Sequence, residues 1–166
     1  CEYAKFNRLY VTDKGESAIK VVDLDIRDIS SHVSTGDDVF PTEIVVNWGR
    51  AFVINSGGDD FLDYDSTIVA IDVKNGAEPL NNFAGNIITG KNPSSVVDDG
   101  NIIVLCRGIY DENDASNNEE SSFSRIGAGN LNVYANTILS GIYNADNLCV
   151  NESDTRFYFT SSDGVY

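Results

Sequence analysis

A short pattern of apolar runs and turns recurs along this chain, and it limits the fold more than any single residue does. Its clearest copy spans residues 41–73. Pro41 opens an apolar run, Ile44-Val45-Val46, and the chain turns at Asn47-Trp48-Gly49 before resuming as Ala51-Phe52-Val53-Ile54. A Gly- and Asp-rich loop over residues 56–65 then leads into Ser66-Thr67-Ile68-Val69-Ala70-Ile71-Asp72. Short β-branched runs bounded by Gly, Asn and Asp are strand signals, so the unit reads strand, turn, strand, loop, strand.

The unit repeats. Leu9-Tyr10-Val11-Thr12 stands in place of its second strand and Ala18-Ile19-Lys20-Val21-Val22 in place of its third, with residues 1–8 as a lead-in. Ser95-Val96-Val97 and Ile102-Ile103-Val104-Leu105 repeat the opening after Pro93. Segment 111–124, DENDASNNEESSFS, reads there as the longest loop, and Asn130-Leu131-Asn132-Val133-Tyr134 takes the third-strand place. A fourth copy runs through Leu148-Cys149-Val150 and Phe157-Tyr158-Phe159 to Asp163-Gly164-Val165-Tyr166. Val11, Val53, Val104 and Tyr158 are 42, 51 and 54 positions apart, and Pro41 and Pro93 are 52 apart.

A period of roughly 40–50 residues carrying about four short strands is the signature of a propeller blade. The expected fold is an all-β propeller with blade-like units over about 7–40, 41–92, 93–145 and 146–166. That makes three blades and the start of a fourth, whereas closed rings have about four to eight. The expectation is that further sequence, or another chain, completes the ring.

Charge narrows the partners. Eleven Lys and Arg against 26 Asp and Glu give a net charge of −15, which repels nucleic-acid phosphates and anionic lipid surfaces. No apolar run approaches the ~20 residues of a membrane-spanning helix. His32 is the single histidine, so a nucleophile–base pair or a multi-histidine metal centre would have to recruit other residues.

The cysteines are Cys1, Cys106 and Cys149. Cys1 at the start resembles the acylated cysteine of bacterial lipoproteins, which would make a lipid anchor the one route to a membrane. Cys106 follows the second strand of its unit and Cys149 lies in the first strand of the next. They read either as a disulfide between adjacent blades or as two small apolar residues packed in strands.

Candidate sites fall in the connections. Asp59, Asp60, Asp63 and Asp65 crowd carboxylates beside Gly57-Gly58, either a Ca²⁺ site, since hard oxygen donors suit that ion, or a solvated acidic loop. Loops 14–16, 57–65 and 110–129 join equivalent strands and are expected on one acidic rim, where a partner would be sought. Trp48, Tyr64 and Tyr110 are the aromatic candidates for that binding rim, Trp48 as a blade-edge cover or a contact for sugar or protein. Asn151-Glu152-Ser153 fits the N-glycosylation acceptor pattern.

With the repeats laid out, the units resemble blades of the YncE-like and surface-layer seven-bladed β-propellers. The resemblance is carried by Gly36, Pro41 and Ile44, by Phe52-Val53-Ile54-Asn55, and by Ser66-Thr67-Ile68-Val69-Ala70-Ile71-Asp72. It implies a secreted, periplasmic or surface-attached protein, often a lipoprotein, with a non-enzymatic binding or scaffolding role and protein partners. Two other functions stay open: a propeller lactonase or lyase with a metal-assisted acidic site, and a Ca²⁺-binding structural subunit of an extracellular assembly.

Overall fold

The computed structural model describes residues 2–4, 7–37, 39–57, 64–73, 82–153 and 155–166. Cys1, Asp59, Asp60 and Asp63 lie outside these described residues. The strand signals resolve into four antiparallel sheets, each built from one continuous stretch of chain. Blade 1 contains β1 (Glu2–Ala4), β2 (Arg8–Asp13), β3 (Ala18–Asp23) and β4 (Asp28–Ser34). Blade 2 contains β5 (Pro41–Asn47), β6 (Arg50–Asn55), β7 (Thr67–Asp72) and β8 (Asn82–Ile88). Blade 3 contains β9 (Pro93–Asp98), β10 (Ile102–Cys106), β11 (Ser122–Ile126) and β12 (Val133–Ile138). The fourth sheet has three strands, β13 (Asp146–Val150), β14 (Phe157–Ser161) and β15 (Gly164–Val165).

Successive side chains of a strand point to opposite faces, and here both faces are covered. Ala51 and Val53 of β6 pack back on Tyr10, Ile19 and Val21 of blade 1. Phe52 and Ile54 pack forward on Ile102, Val104 and Ile126 of blade 3. Blade 3 repeats the arrangement, with Ile103 and Leu105 meeting Leu148 and Phe159 of the fourth sheet. Two-sided burial is why β6, β7 and β10 read as unbroken apolar runs; truncating a fully buried ring such as Phe52 to Ala costs about 3–5 kcal/mol. First strands of successive sheets neighbour one another, while β12 is exposed along its whole length. Sheets radiating from neighbouring first strands form a β-propeller, three complete blades and part of a fourth.

The repeat extends to single hydrogen bonds. At the end of each blade the chain closes on the residue before the third strand. Thr35, Thr89 and Leu139 donate their N–H groups to the carbonyls of Ser17, Ser66 and Ser121 at 2.9, 2.7 and 2.8 Å. Both threonine hydroxyls add a second bond to the same carbonyl. Gly90, after Thr89, is required by space: a Cβ there would collide with the Ser122 hydroxyl and stand 3.1 Å from the Cys106 Cβ.

Three sequence expectations are corrected. Glu2–Ala4, placed in the lead-in, is the first strand of blade 1, paired with β2. The third strand of blade 3 is β11, and Val133–Ile138 is the fourth. β11 escaped the hydrophobic pattern because its face toward blade 2 carries Ser122 and Ser124, both buried. The Ser124 hydroxyl is satisfied by Asn136 at 2.7 Å and the Gly90 N–H at 3.3 Å. Finally, Phe159 rather than Tyr158 matches Val53 and Val104, because Phe159 is buried against blade 3 while Tyr158 is exposed. A one-residue slip exchanges the faces of a strand.

Candidate functional site: the rim of second-to-third-strand loops

Strand direction decides which connections share a face. β6 starts at Arg50, after the turn from β5, and ends at Asn55, before the loop to β7, so those connections lie a strand length apart, about 17–20 Å. Trp48 sits in the turn and Tyr64 in the loop. The three aromatics assigned to one rim therefore divide: Tyr64 and Tyr110 lie on the loop face, and Trp48 projects, exposed, from the opposite one. Trp48 and Gly49 have φ of 53° and 71°, the double left-handed geometry of a two-residue hairpin turn.

The loop face is built around residues 107–121. Its base is pinned to the preceding connection, with the Arg107 and Gly108 N–H groups donating to the Asn92 and Lys91 carbonyls at 2.8 and 3.1 Å. Ile109 and Glu119 exchange N–H···O bonds of 2.8 and 2.9 Å, closing the loop into a ring. Gly108, at φ +70°, faces the Glu119 backbone so closely that a Cβ would collide with it. On the far side Glu120 accepts from the Gly141 N–H at 2.6 Å. The Ser121 hydroxyl donates to the Arg107 carbonyl at 2.7 Å and accepts from the Ala145 N–H at 3.1 Å. Arg107 and Asp146 form an ion pair.

Inside the ring the acidic residues act as braces. Asp111 Oδ2 accepts from the Asn117 amide at 2.8 Å, and Oδ1 accepts from the Asn113 and Asp114 N–H groups at 2.8 and 3.1 Å. Its own N–H donates to Asn118 Oδ1 at 2.7 Å. Asp114 accepts from the Ser116 hydroxyl at 2.6 Å and N–H at 2.9 Å, capping a short 3-10 turn over Ala115–Asn117. The Asn117 amide, then the Asn113 N–H, holds the Asp111 carboxyl below the usual range; the Ser116 hydroxyl and N–H do the same for Asp114. Donors to an ionised carboxylate favour the ionised form. The acidic segment thus orders itself by Asx-type bonding, a signal present in its D-x-N-D spacing.

Against this ring stands a partner that sequence reasoning missed. Tyr110 packs on Tyr143, from the connection between blade 3 and the fourth sheet, with ring centroids 5.6 Å apart and planes at 51°. The two strand repeats carry no information about a loop-to-loop contact, so Tyr143 had no periodic signal. Tyr110, Asp111, Glu112, Asn113 and Asn144 line an open cleft of about 560 Å³. A second cleft of about 480 Å³, lined by Gly15, Glu16, Ser17, Ser34, Gly36 and Asp37, lies on the same face.

The remaining candidates have structural employment. Asp65 accepts from the Ser66 N–H at 2.5 Å and the Thr67 hydroxyl at 2.9 Å, bracing the entry to β7. Among the described residues no three His, Cys, Asp or Glu side chains converge on a metal position. Cys106 and Cys149 are free thiols: Cys106 is buried against blade 2 and Cys149 is exposed, so the disulfide between them does not form. Burial pushes the Cys106 thiol up to about 11. His32, exposed on β4, is opposite Lys20 in the sheet. The Asn151 side chain is engaged by Ser153, Thr155 and Arg156.

The sequence matches no protein-family model and no curated protein. Solved structures do resemble it. A streptogramin B lyase superposes with a TM-score of 0.68 at 12% identity, over 96% of this chain and 46% of the lyase. Hydrazine synthase of Kuenenia stuttgartiensis superposes with a TM-score of 0.70 at 17% identity, over 93% of this chain and 40% of that one. The WD40 β-propeller domain of Doa1 gives 0.66 at 12% identity, covering 98% and 46%. These likenesses define the class, a β-propeller. The chain spans less than half the length of each of these three structures.

Proposed function

We propose that this chain is part of a non-enzymatic binding or scaffolding β-propeller that works outside the cytoplasm and uses the loop face as its contact surface. The observation that carries this reading is the 107–121 loop. Its Asp111 and Asp114 carboxylates are satisfied by the loop's own donors and held below the usual range, a poor match to proton transfer near neutrality. What the loop offers outward is a fixed aromatic pair beside an open cleft, which suits contact. Placement at the cell envelope rests on the YncE-like blade pattern. Calcium is proposed only for the acidic segment 59–65; Asp65 spends both oxygens on the chain itself.

The test sets binding against turnover. The protein is incubated with lactones and uronate oligosaccharides, with and without Ca²⁺ or Mg²⁺, while backbone amides are followed by NMR. The expected result is no chemical conversion, with ligand-induced shifts confined to the loop face. Conversion of a lactone that stops when a loop-face carboxylate is replaced would overturn the reading in favour of a lactonase or lyase.

A further inference from the structure

We propose, resting on the binding role above, that the cleft lined by Tyr110 and Glu112 receives a basic segment of a protein partner, with an Arg or Lys side chain laid on the Tyr110 ring and its charge toward Glu112. Tyr110 is 43% exposed although its ring is held by Tyr143, so an aromatic face is presented at little further entropic cost. Such a face attracts a guanidinium or ammonium group, and guanidinium stacks on it as a plane.

Charge selects the occupant. Residues 107–121 contain the acids Asp111, Glu112, Asp114, Glu119 and Glu120 and the single base Arg107, which is committed to Asp146. Asp111 is consumed by the loop's bracing, whereas the exposed Glu112 takes no part in it. The cleft therefore combines an aromatic face with a carboxylate and lines no cation of its own. Lys91, from the preceding connection, is the other base near the loop's root and does not line the cleft. Asn144, at φ 54°, adds an amide at the lip, and the second cleft on this face is again acidic through Glu16 and Asp37. A neutral oligosaccharide would use the rings but gain nothing from this charge.

The test titrates the ¹⁵N-labelled chain with a short Arg-rich peptide, with the same peptide carrying neutral citrulline for arginine, and with a neutral oligosaccharide. The expected result is that the Arg peptide shifts amides of residues 109–114 and 142–145. The citrulline peptide should bind about tenfold more weakly, and Glu112→Gln and Tyr110→Leu should each lose about fivefold to tenfold. Tyr110→Phe, which keeps the ring, should retain binding, and salt should weaken it. Equal binding to wild type and Glu112→Gln, or shifts scattered over all acidic surfaces, would overturn the proposal as mere polyanion attraction. Oligosaccharide binding at these amides without peptide binding would overturn the cationic partner and leave the binding role standing. Silence from every probe on the loop face would count against both. Dispersed spectra of each variant establish that it is folded.

Discussion

The carboxylate of Glu43, on the first strand of blade 2, accepts a hydrogen bond from the Ser95 hydroxyl of blade 3 at 3.1 Å, and the same oxygen accepts from the Val96 N–H at 3.0 Å. Ser95 passes the link on, its hydroxyl accepting from the Leu148 N–H of the fourth sheet at 3.2 Å. Glu43 and Ser95 are 52 positions apart, the same separation as Pro41 and Pro93. Equivalent positions in three sheets thus join into one chain, next to register shifts that interrupt the pairing of β5, β9 and β13. Bulges re-aim a side chain out of its own ladder, and here they turn it toward the neighbouring blade.

Ser95 should matter more than Glu43. It is buried, and Ser95→Ala leaves the Leu148 N–H without its acceptor, a cost of about 1–3 kcal/mol. Glu43 is exposed, and Glu43→Gln keeps an acceptor oxygen, so a loss of about 1 kcal/mol or less is expected. Urea unfolding of both variants checks the order. A larger loss for Glu43→Gln would mean that the inter-blade link is not transmitted through Ser95.

Gly90→Ala tests close packing between blades. The added methyl must displace the Ser122 side chain and crowd the Cys106 Cβ, and overpacking of this kind costs about 1–3 kcal/mol. A thermal melt within error of the wild type would show that this contact is looser than the geometry requires.

The two strand thiols should differ in reactivity. Cys149 is exposed and Cys106 buried, and thiolate is the reactive form. Mapped alkylation of the native protein at mildly alkaline pH should modify Cys149 and spare Cys106 until denaturant is added. Because burial raises Cys106 from 9.0 to about 11, the folded state holds its proton where the unfolded chain has lost it. That contribution is complete below pH 9 and is lost as pH rises toward 11, a decline on the order of 2–3 kcal/mol. Cys106→Ser should flatten it.

These effects also mark what the residue order disclosed. β6, β7 and β10 were legible because neighbours cover both of their faces, which leaves an apolar run that no other fold element explains as well. β11 was hidden by Ser122 and Ser124; the burial of the Ser124 hydroxyl is made good by hydrogen bonds rather than by apolar area. The loop face was legible as acidic, yet its order came from Asp111 bonding to its own backbone and its aromatic pair from Tyr143, one connection away. Trp48 was grouped with the wrong rim although its turn was legible ahead of the second strand, because the turn before β6 and the loop after it lie at opposite ends of that strand.

Acid should loosen the 107–121 loop before the blades. Asp111 is held below the ordinary carboxylate value of 3.8 by Asn117 and the Asn113 N–H. Its bracing is therefore present above that value and is lost as pH falls through the depressed one. Protection of the amides at residues 112–118, taken against the intrinsic exchange rate at each pH, should fall on acidification while β6 stays protected. Asp111→Ala should reproduce the same local loss of protection at neutral pH. Uniform loss through β6 would instead assign Asp111 to the stability of the whole sheet.

Trp48 gives the last expectation, because its conformation opposes its own chemistry. A bulky side chain at φ 53° is disfavoured, and the ring gains little by burial, being 63% exposed. Asn adopts this conformation readily and is favoured in such turns. Trp48→Asn should therefore raise stability by about 0.5–1 kcal/mol without changing binding on the loop face, which lies at the other end of β6. Destabilisation in a urea melt would show that the ring packs on its blade more closely than its exposure implies. If stability rises but association of the chain with a partner is lost, the opposite face is itself a contact surface, and the strained turn is kept for the ring it presents.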